Sequence, residues 1–414
     1  MFRPRGCMMF PLRPLRMLRF RLPLLRLCLG CVFLCALLSA PAMPFARAAA
    51  PAVGAASGCA APAAAVPTDP AFGCAAVIRV GAWNIEWLGT PDRRTVGGLQ
   101  TADDIAAAIG ASGVHLLALE EAAVTDGGAD MRNAVLDGAF ARLNAGGAQW
   151  SYLLFPARVP PHSRPTVRTS TQCVGVAWDG RTLRLKRPPQ AITATVDLAA
   201  EKDLDQRMRQ AAGPDQGMKL LARWPHLTVF DAGPGTREFG VVVLHLKASK
   251  GVTSLPMQAR AMEGDLLLPG LRKLAASDGL RDVLVLGDLN TRDHTEPALQ
   301  ALAGEGFIDC NPGDLPTFFG PHGKTRKPYD RILLRGDGDA FAAACADAAG
   351  ALGQAGPVGQ AGADRAGGSP GLPGFSVLQP ADLEAGLTHA EYVRRFSDHA
   401  LVRASICVGR AAGK

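Results

Sequence analysis

The sequence predicts an α/β fold in which helices cover β-sheets. Three observations carry that expectation. Strand-like apolar runs and helical stretches alternate from residue 77 to residue 408. The composition, 48% hydrophobic and 20% charged over 414 residues, suits a chain that builds a core. Polar clusters recur at the ends of the strand-like runs, where converging strands would gather them into one site.

In chain order, residues 1–48 read as a secretory signal. They hold eight Arg, no Lys and no acid. An Arg-rich start ends at Arg26, an apolar run follows over 27–38, and Ala46-Arg47-Ala48 fits the small-x-small cleavage rule. Met17 is an alternative start. The apolar run is about a dozen residues, short of the roughly 20 that span a bilayer. Cleavage and export, to the medium or a periplasm, are therefore expected, with no stable membrane association afterwards. Setting aside the leader's eight Arg lowers the 44 basic residues to 36, against 37 acidic ones. The formal charge of +7 thus belongs to the leader and says nothing about nucleic-acid binding.

Residues 49–75 are mostly Ala, Pro and Gly and read as a disordered linker. From there the strand-like runs are 77–85, 114–119, 150–155, 173–178, 227–230, 239–246, 282–286, 329–334 and 400–408, rich in Val, Ile, Leu and aromatics. Helical periodicity marks 102–109, 131–143, 257–274 and 295–302. Residues 357–374 are Gly/Ala/Pro-rich and read as a flexible loop. Six Cys lie beyond the leader: Cys59, Cys74, Cys173, Cys310, Cys345 and Cys407. An even number in an exported chain points to disulfides, with the pairing left open. No C-x-x-C pair occurs among them, which argues against a structural zinc site.

Six clusters suggest chemistry. Asn84 lies near the end of the first strand-like run, within Trp83-Asn84-Ile85-Glu86-Trp87. Glu120-Glu121 follow four apolar residues; buried unpaired they would be costly, whereas carboxylate oxygens suit Mg²⁺ or Mn²⁺. His245 sits in an apolar run, either as a core histidine or as a donor of a proton or hydrogen bond to a phosphoryl oxygen. In Gly287-Asp288-Leu289-Asn290 the two polar residues are two apart and share a side if the chain is extended. Asp330 opens a strand. Asp398-His399 precede the last strand, where adjacent residues would point to opposite faces, one into a site and one behind it. A carboxylate accepting from one imidazole nitrogen fixes the tautomer and leaves the other nitrogen to work. Phosphodiester hydrolysis needs charge neutralisation, an oriented water and leaving-group stabilisation, and these residue types supply all three.

The ordered set Trp-Asn-Ile, Leu-x-x-Glu-Glu, His-Leu, Gly-Asp-Leu-Asn, Asp-Arg-Ile and Ser-Asp-His resembles the endonuclease/exonuclease/phosphatase superfamily, the fold of DNase I, over residues 77–408. The resemblance implies a four-layer α/β sandwich: two mixed β-sheets face to face, helices outside, the site at one edge, in a domain spanning 76–410. It implies Glu121 as ligand of a divalent metal, Mg²⁺ or else Mn²⁺ or Ca²⁺, with Asn84 alongside and Asp398 in support. Asp288 and Asn290 would position water and phosphate, and Asp330 would orient His399. His399 would act as base or phosphate stabiliser, and His245 as acid or oxyanion donor. Arg223 sits where some members place a phosphate-contacting Arg. Two departures stand out: Glu120 where Gln is usual, and Leu244 where many nucleases have Thr or Ser.

The expected function is a secreted, metal-dependent phosphodiesterase, a monomeric nuclease cutting DNA or RNA. The basic clusters at 158–168 and 324–327 are candidate phosphate-binding surfaces. The alternatives are a sphingomyelinase-type lipid phosphodiesterase or an inositol-phosphate phosphatase. An enzyme acting on membranes would benefit from an exposed aromatic loop, and aromatics are only 6% here. A non-enzymatic binding module is the third reading, disfavoured because every expected polar residue is present.

Overall fold

The computed structural model describes residues 74–411, apart from 95, 97, 127–130, 157–171, 215–216, 250–253, 323 and 337–373. The expected leader, residues 49–73 of the expected linker, residues 357–373 of the expected loop and the basic stretch 158–168 lie outside the described residues.

Among the described residues the strands form two mixed six-stranded sheets. The first holds β1 (Ala76–Leu88), β2 (Leu116–Ala122), β3 (Trp150–Phe155), β4 (Cys173–Asp179), β11 (Ser376–Val377) and β12 (Val402–Val408), in the order β11-β12-β1-β2-β4-β3. The second holds β5 (Arg184–Ala191), β6 (His226–Asp231), β7 (Phe239–Val243), β8 (Asp282–Asp288), β9 (Ile308–Asp309) and β10 (Asp330–Arg335), in the order β5-β6-β7-β8-β10-β9. The pairs β1–β2 and β7–β8 are parallel, and the remaining pairs are antiparallel.

The period of two sorts each central strand onto two cores. From β1, Ile78, Val80 and Ala82 point between the sheets, and Trp83 and Ile85 point outward. From β8, Leu284 and Leu286 point inward, and Val283 and Val285 outward. Both faces are covered, which explains the near-continuous apolar runs. On the first sheet's outer face lie α1 (Ala102–Ser112) and α2 (Ala134–Ala145), burying Ile105, Ile109, Leu136 and Phe140. On the second lie α4 (Ser254–Ser277) and α5 (Pro297–Gly304), burying Leu267, Leu271, Leu299 and Leu302. The result is the four-layer sandwich that the resemblance implies.

Local chemistry sets the boundaries. The Asn133 side-chain oxygen accepts from the N–H groups of Val135 and Leu136, so the helix expected from 131 starts after that cap. Thr101 caps α1 in the same way through the Asp104 N–H. The linker expected to reach 75 ends earlier: Cys74 forms a disulfide with Cys407, and the Ala75 N–H donates to Val408 O at 2.9 Å. Cys310 is disulfide-bonded as well. Two elements have no signal of the kind sought. β5 carries Pro188-Pro189 and four exposed or half-exposed charged and polar positions, as an edge strand permits. In α3 (Leu198–Ala212) only Leu204 and Met208 are buried, in a small separate cluster with Met218, Leu220, Leu255 and Ala259.

Candidate active site

Strand polarity builds the site. β1, β2 and β8 bring Asn84, Glu120-Glu121 and Asp288 to one edge of the sandwich near their C-terminal ends, and β10 starts there at Asp330. The register places Asn84 opposite Glu120 and Asp330 opposite Asp288. His245 follows β7, still bound to its neighbour strand, because the Leu244 and Leu246 N–H groups donate to Leu286 O and Asp288 O.

Buried hydrogen bonds then tie the two sheets together. Asn84 Nδ2 donates to Asp288 Oδ2 at 3.1 Å, and the Asp288 N–H donates to Glu120 Oε2 at 2.6 Å. Gly287 makes the second bond possible. Its φ is +137°, and a Cβ there would lie 2.2 Å from Leu244 O and 2.8 Å from Glu120 Oε1. Ser397 Oγ donates to Asn84 O at 2.6 Å and accepts from the His399 N–H at 3.0 Å. His399 O accepts from Trp83 Nε1 and from the Tyr392 hydroxyl. The Ser-Asp-His segment is thereby fixed against the first strand.

A cavity of about 490 Å³ opens at this edge. Asn84, Glu121, Arg223, His245, Asp288, Asn290, Asp398 and His399 all line it. Asp330, the ninth expected site residue, is fully buried behind His399, with Oδ2 2.9 Å from Nδ1. This is the contact that an orienting role would use. Two expectations are corrected. Asp398 and His399 both face the cavity instead of opposite faces, since β12 starts only at Val402 and the segment before it is not a regular strand. Asn290 is not extended: its φ is +53°, and its N–H donates to Asp288 Oδ1 at 2.8 Å in a tight Asx-type turn. Both side chains still reach the cavity. Glu121 also has a left-handed φ of +56°, a strained conformation of the kind that collects at functional sites.

Sequence reasoning assigned no role to several lining residues, among them Glu86, Gln172, Lys247, Phe318 and Tyr329. Glu86 is two positions past Asn84, and that spacing was its only signal. It is buried against Arg94 at 3.0 Å. Gln172 Oε1 accepts from Arg223 Nη2 at 2.5 Å, and Phe318 packs on the His399 ring at 4.8 Å between centroids.

The electrostatics separate the two imidazoles. Burial, then the charges of Arg223 and His399, hold His245 well below the ordinary histidine value, so it is neutral. Its Nε2 lies 3.6 Å from Asp288 Oδ2 and 3.8 Å from Glu121 Oε1, and these contacts are not ion pairs. Burial also disfavours charge on His399, but Asp330, Asp288 and Asp398 outweigh it and hold its pKa well above the ordinary value. Asp288 is pushed up to about 6 by burial, with His399 pulling it down and Asp330 pushing it up. Asp398 is pushed up to about 7, by burial first, with His399 opposing and Glu86, Glu121 and Asp288 adding to it. Acids that resist ionising, through burial first and neighbouring acids second, are a fitting donor set for a hard divalent cation. Glu121, Asp398 and the Asn84 carbonyl oxygen would hold it on the cavity side. Among the described residues, two further groupings could hold a metal by proximity alone, Glu120/His245/Asp288 and Asp288/Asp330/His399. In the second, the Asp330–His399 hydrogen bond already accounts for the contact.

No family model matches the chain, and no curated protein matches it. Solved structures do. The chain is similar to an endonuclease/exonuclease/phosphatase from Bacteroides vulgatus, at 12% identity over 81% of this chain and 99% of that one, with a TM-score of 0.48. It is similar to a family protein from Bacteroides thetaiotaomicron, at 14% identity over 82% and 98%, TM-score 0.49. It is similar to the human Nocturnin catalytic domain with bound sulfate, at 15% identity over 80% and 94%, TM-score 0.41.

Proposed function

We propose that the chain is an exported, divalent-metal-dependent phosphodiesterase that cuts nucleic acid by water attack at a phosphodiester. One observation carries this reading. The Asp330–His399 couple, a neutral His245 and the acids Glu121, Asp288 and Asp398 converge on one cavity. The leader and the Cys74–Cys407 disulfide support export, since disulfides persist in oxidising compartments.

Each residue has a task that its surroundings favour. A bound divalent cation would neutralise charge on the phosphoryl oxygens. His399, oriented through Nδ1 by Asp330 and held charged, offers its Nε2–H to a phosphoryl oxygen, which favours the stabiliser role over that of base. Asp288, with a pKa of about 6, is mostly ionised near neutrality and takes the proton of the attacking water. Asn290 and Asn84 fix that carboxylate, through the Asn290 N–H to Oδ1 and Asn84 Nδ2 to Oδ2. His245 donates a neutral hydrogen bond, and Arg223, on the same lining, offers its guanidinium to the phosphate.

The test incubates the mature protein with plasmid DNA, RNA, bis(p-nitrophenyl) phosphate, sphingomyelin and an inositol phosphate, with Mg²⁺ and with EDTA. Cleavage of a nucleic acid, abolished by EDTA and reduced on the order of 100-fold or more in Glu121→Gln and His399→Ala, is expected. Lipid or inositol-phosphate hydrolysis with nucleic acids intact would sink the nuclease reading.

A further inference from the structure

We propose that the excursion between β5 and β6 builds a second anion-holding subsite beside the catalytic cavity. It would take the phosphate adjoining the scissile one on a nucleic-acid strand. The inference rests on the nuclease reading and names where the rest of the substrate lies.

β5 and β6 are antiparallel neighbours, and a pair of that kind needs only a short turn. Here residues 192–225 intervene and carry α3. The excursion does two things at once. Met208, Gly217 and Arg223 line the catalytic cavity, while Leu198, Lys202 and Lys219 line a second cavity of about 720 Å³. The two cavities share Gln172, Gly217, Arg223 and Lys247 on their walls, so they adjoin. Arg223, bound to Gln172, stands at the junction.

The second cavity is polar and its charge is sorted. Its three acids are each turned toward backbone N–H groups. Glu201 accepts from Leu220 at 2.7 Å, Asp205 from Met218 at 2.6 Å, and Glu263 from both Leu221 and Lys247 at 2.8 Å. Asp205 also accepts from Arg209 Nε at 2.8 Å. The acids shape the wall by pinning the returning chain at 217–221. Five cations, Lys202, Arg209, Lys219, Arg223 and Lys247, outnumber these acids on the lining, and Lys247 Nζ donates to Gly217 O at 3.2 Å. A strand that continues from the catalytic cavity past Arg223 enters this cation-rich lining, and positively charged grooves track nucleic-acid backbones in this way. A substrate with a single phosphodiester and no flanking phosphate would not reach that lining.

The experiment compares wild type with Lys202→Ala and the double variant K202E/K219E on two ligands. The first is bis(p-nitrophenyl) phosphate, assayed for hydrolysis. The second is a fluorescent single-stranded oligonucleotide, assayed for cleavage and, in EDTA, for binding by anisotropy across a salt series. The double variant is expected to bind the oligonucleotide about 10-fold or more weakly, with a salt slope shallower by about one, and Lys202→Ala to lie between it and wild type. Hydrolysis of the small diester is expected to stay within about twofold, which also shows that the variants fold. Unchanged oligonucleotide affinity in the double variant, or an equal loss on both ligands, overturns the subsite while leaving the nuclease reading standing. A wild type that hydrolyses the small diester but neither binds nor cuts the oligonucleotide overturns both.

Discussion

Asp330→Asn tests the imidazole–carboxylate couple without disturbing its shape. The substitution is isosteric at a fully buried position, and an amide oxygen can still accept from His399 Nδ1 across the present 2.9 Å. What goes is the charge. At 2.9 Å and an effective dielectric of about 20, a unit pair interacts by about 6 kcal/mol before desolvation is counted. A hydrogen bond between charged groups is worth a net of about 1.5–3 kcal/mol. Asp288 and Asp398 continue to favour the imidazolium, so the net figure is the better guide. At about 1.4 kcal/mol per decade, the expected loss is roughly 10- to 150-fold. It should fall on kcat more than on KM, because the imidazolium acts where negative charge develops on the phosphoryl group. The assay is steady-state hydrolysis of bis(p-nitrophenyl) phosphate in Mg²⁺, with a thermal melt as control. The ring nitrogen shifts of His399, followed by NMR against pH, report whether its ionisation has moved down. A kcat within about threefold of wild type, with the His399 titration unmoved, would refute the claim that the Asp330 charge sustains the His399 imidazolium.

Three further outcomes are expected. Gly287→Ala should destabilise the fold by about 2–6 kcal/mol in urea unfolding, the sum of an unfavourable φ and of overpacking, since its Cβ would meet Leu244 O at 2.2 Å; a change under about 1 kcal/mol would show that the approach is not tight. Glu120→Gln should leave activity within about threefold and stability unchanged, whereas Glu120→Ala, which strands the buried Asp288 N–H, should cost about 1–3 kcal/mol by the same unfolding assay. Asp231 is held below its ordinary value of 3.8: burial pushes it up, but hydrogen bonds from Arg184, Lys186 and the Gly233 N–H prevail. Its contribution is therefore full above that value and is lost as pH falls through the lower folded value, so Asp231→Asn should flatten the acid limb of a melting-temperature profile below about pH 4. An identical acid limb in both proteins counts against the pairing.

The central strands and the helices behind them were legible because each is buried on at least one face, and burial leaves a period. β5 and α3 left none. The first is an edge strand that tolerates Pro188-Pro189, and the second buries only two side chains. The site residues were legible for a related reason: a polar residue at the end of an apolar strand has no packing role that explains it. Eight of the nine expected residues line one cavity and the ninth supports His399 from behind. Gln172, Lys247 and Phe318 were not legible, because each comes from a loop whose position depends on the whole sandwich. The Asx turn at Asn290 and the left-handed Glu121 also escaped a reading that assumed extended chain, since strain at a strand end leaves no compositional trace.

The charges at this edge explain why the cavity suits a cation. Six acids crowd one end of the sandwich, too many to ionise together out of water. Three are dealt with inside the protein. Glu86 meets the buried guanidinium of Arg94. Asp330 meets His399. Glu120 is held well above the usual carboxylate range by burial and by Asp288 and Asp330, which favours its neutral form, and one of its oxygens accepts the Asp288 N–H. Glu121, Asp288 and Asp398 are left facing the cavity, with His399 Nε2, 3.7 Å from Asp288 Oδ2, as the nearest cationic group to that acid. A divalent cation there would offset the burial, and the repulsion added to it, that raise Asp398 and Asp288. It would also bring positive charge to the acid-lined side of the cavity, where a phosphodiester needs it.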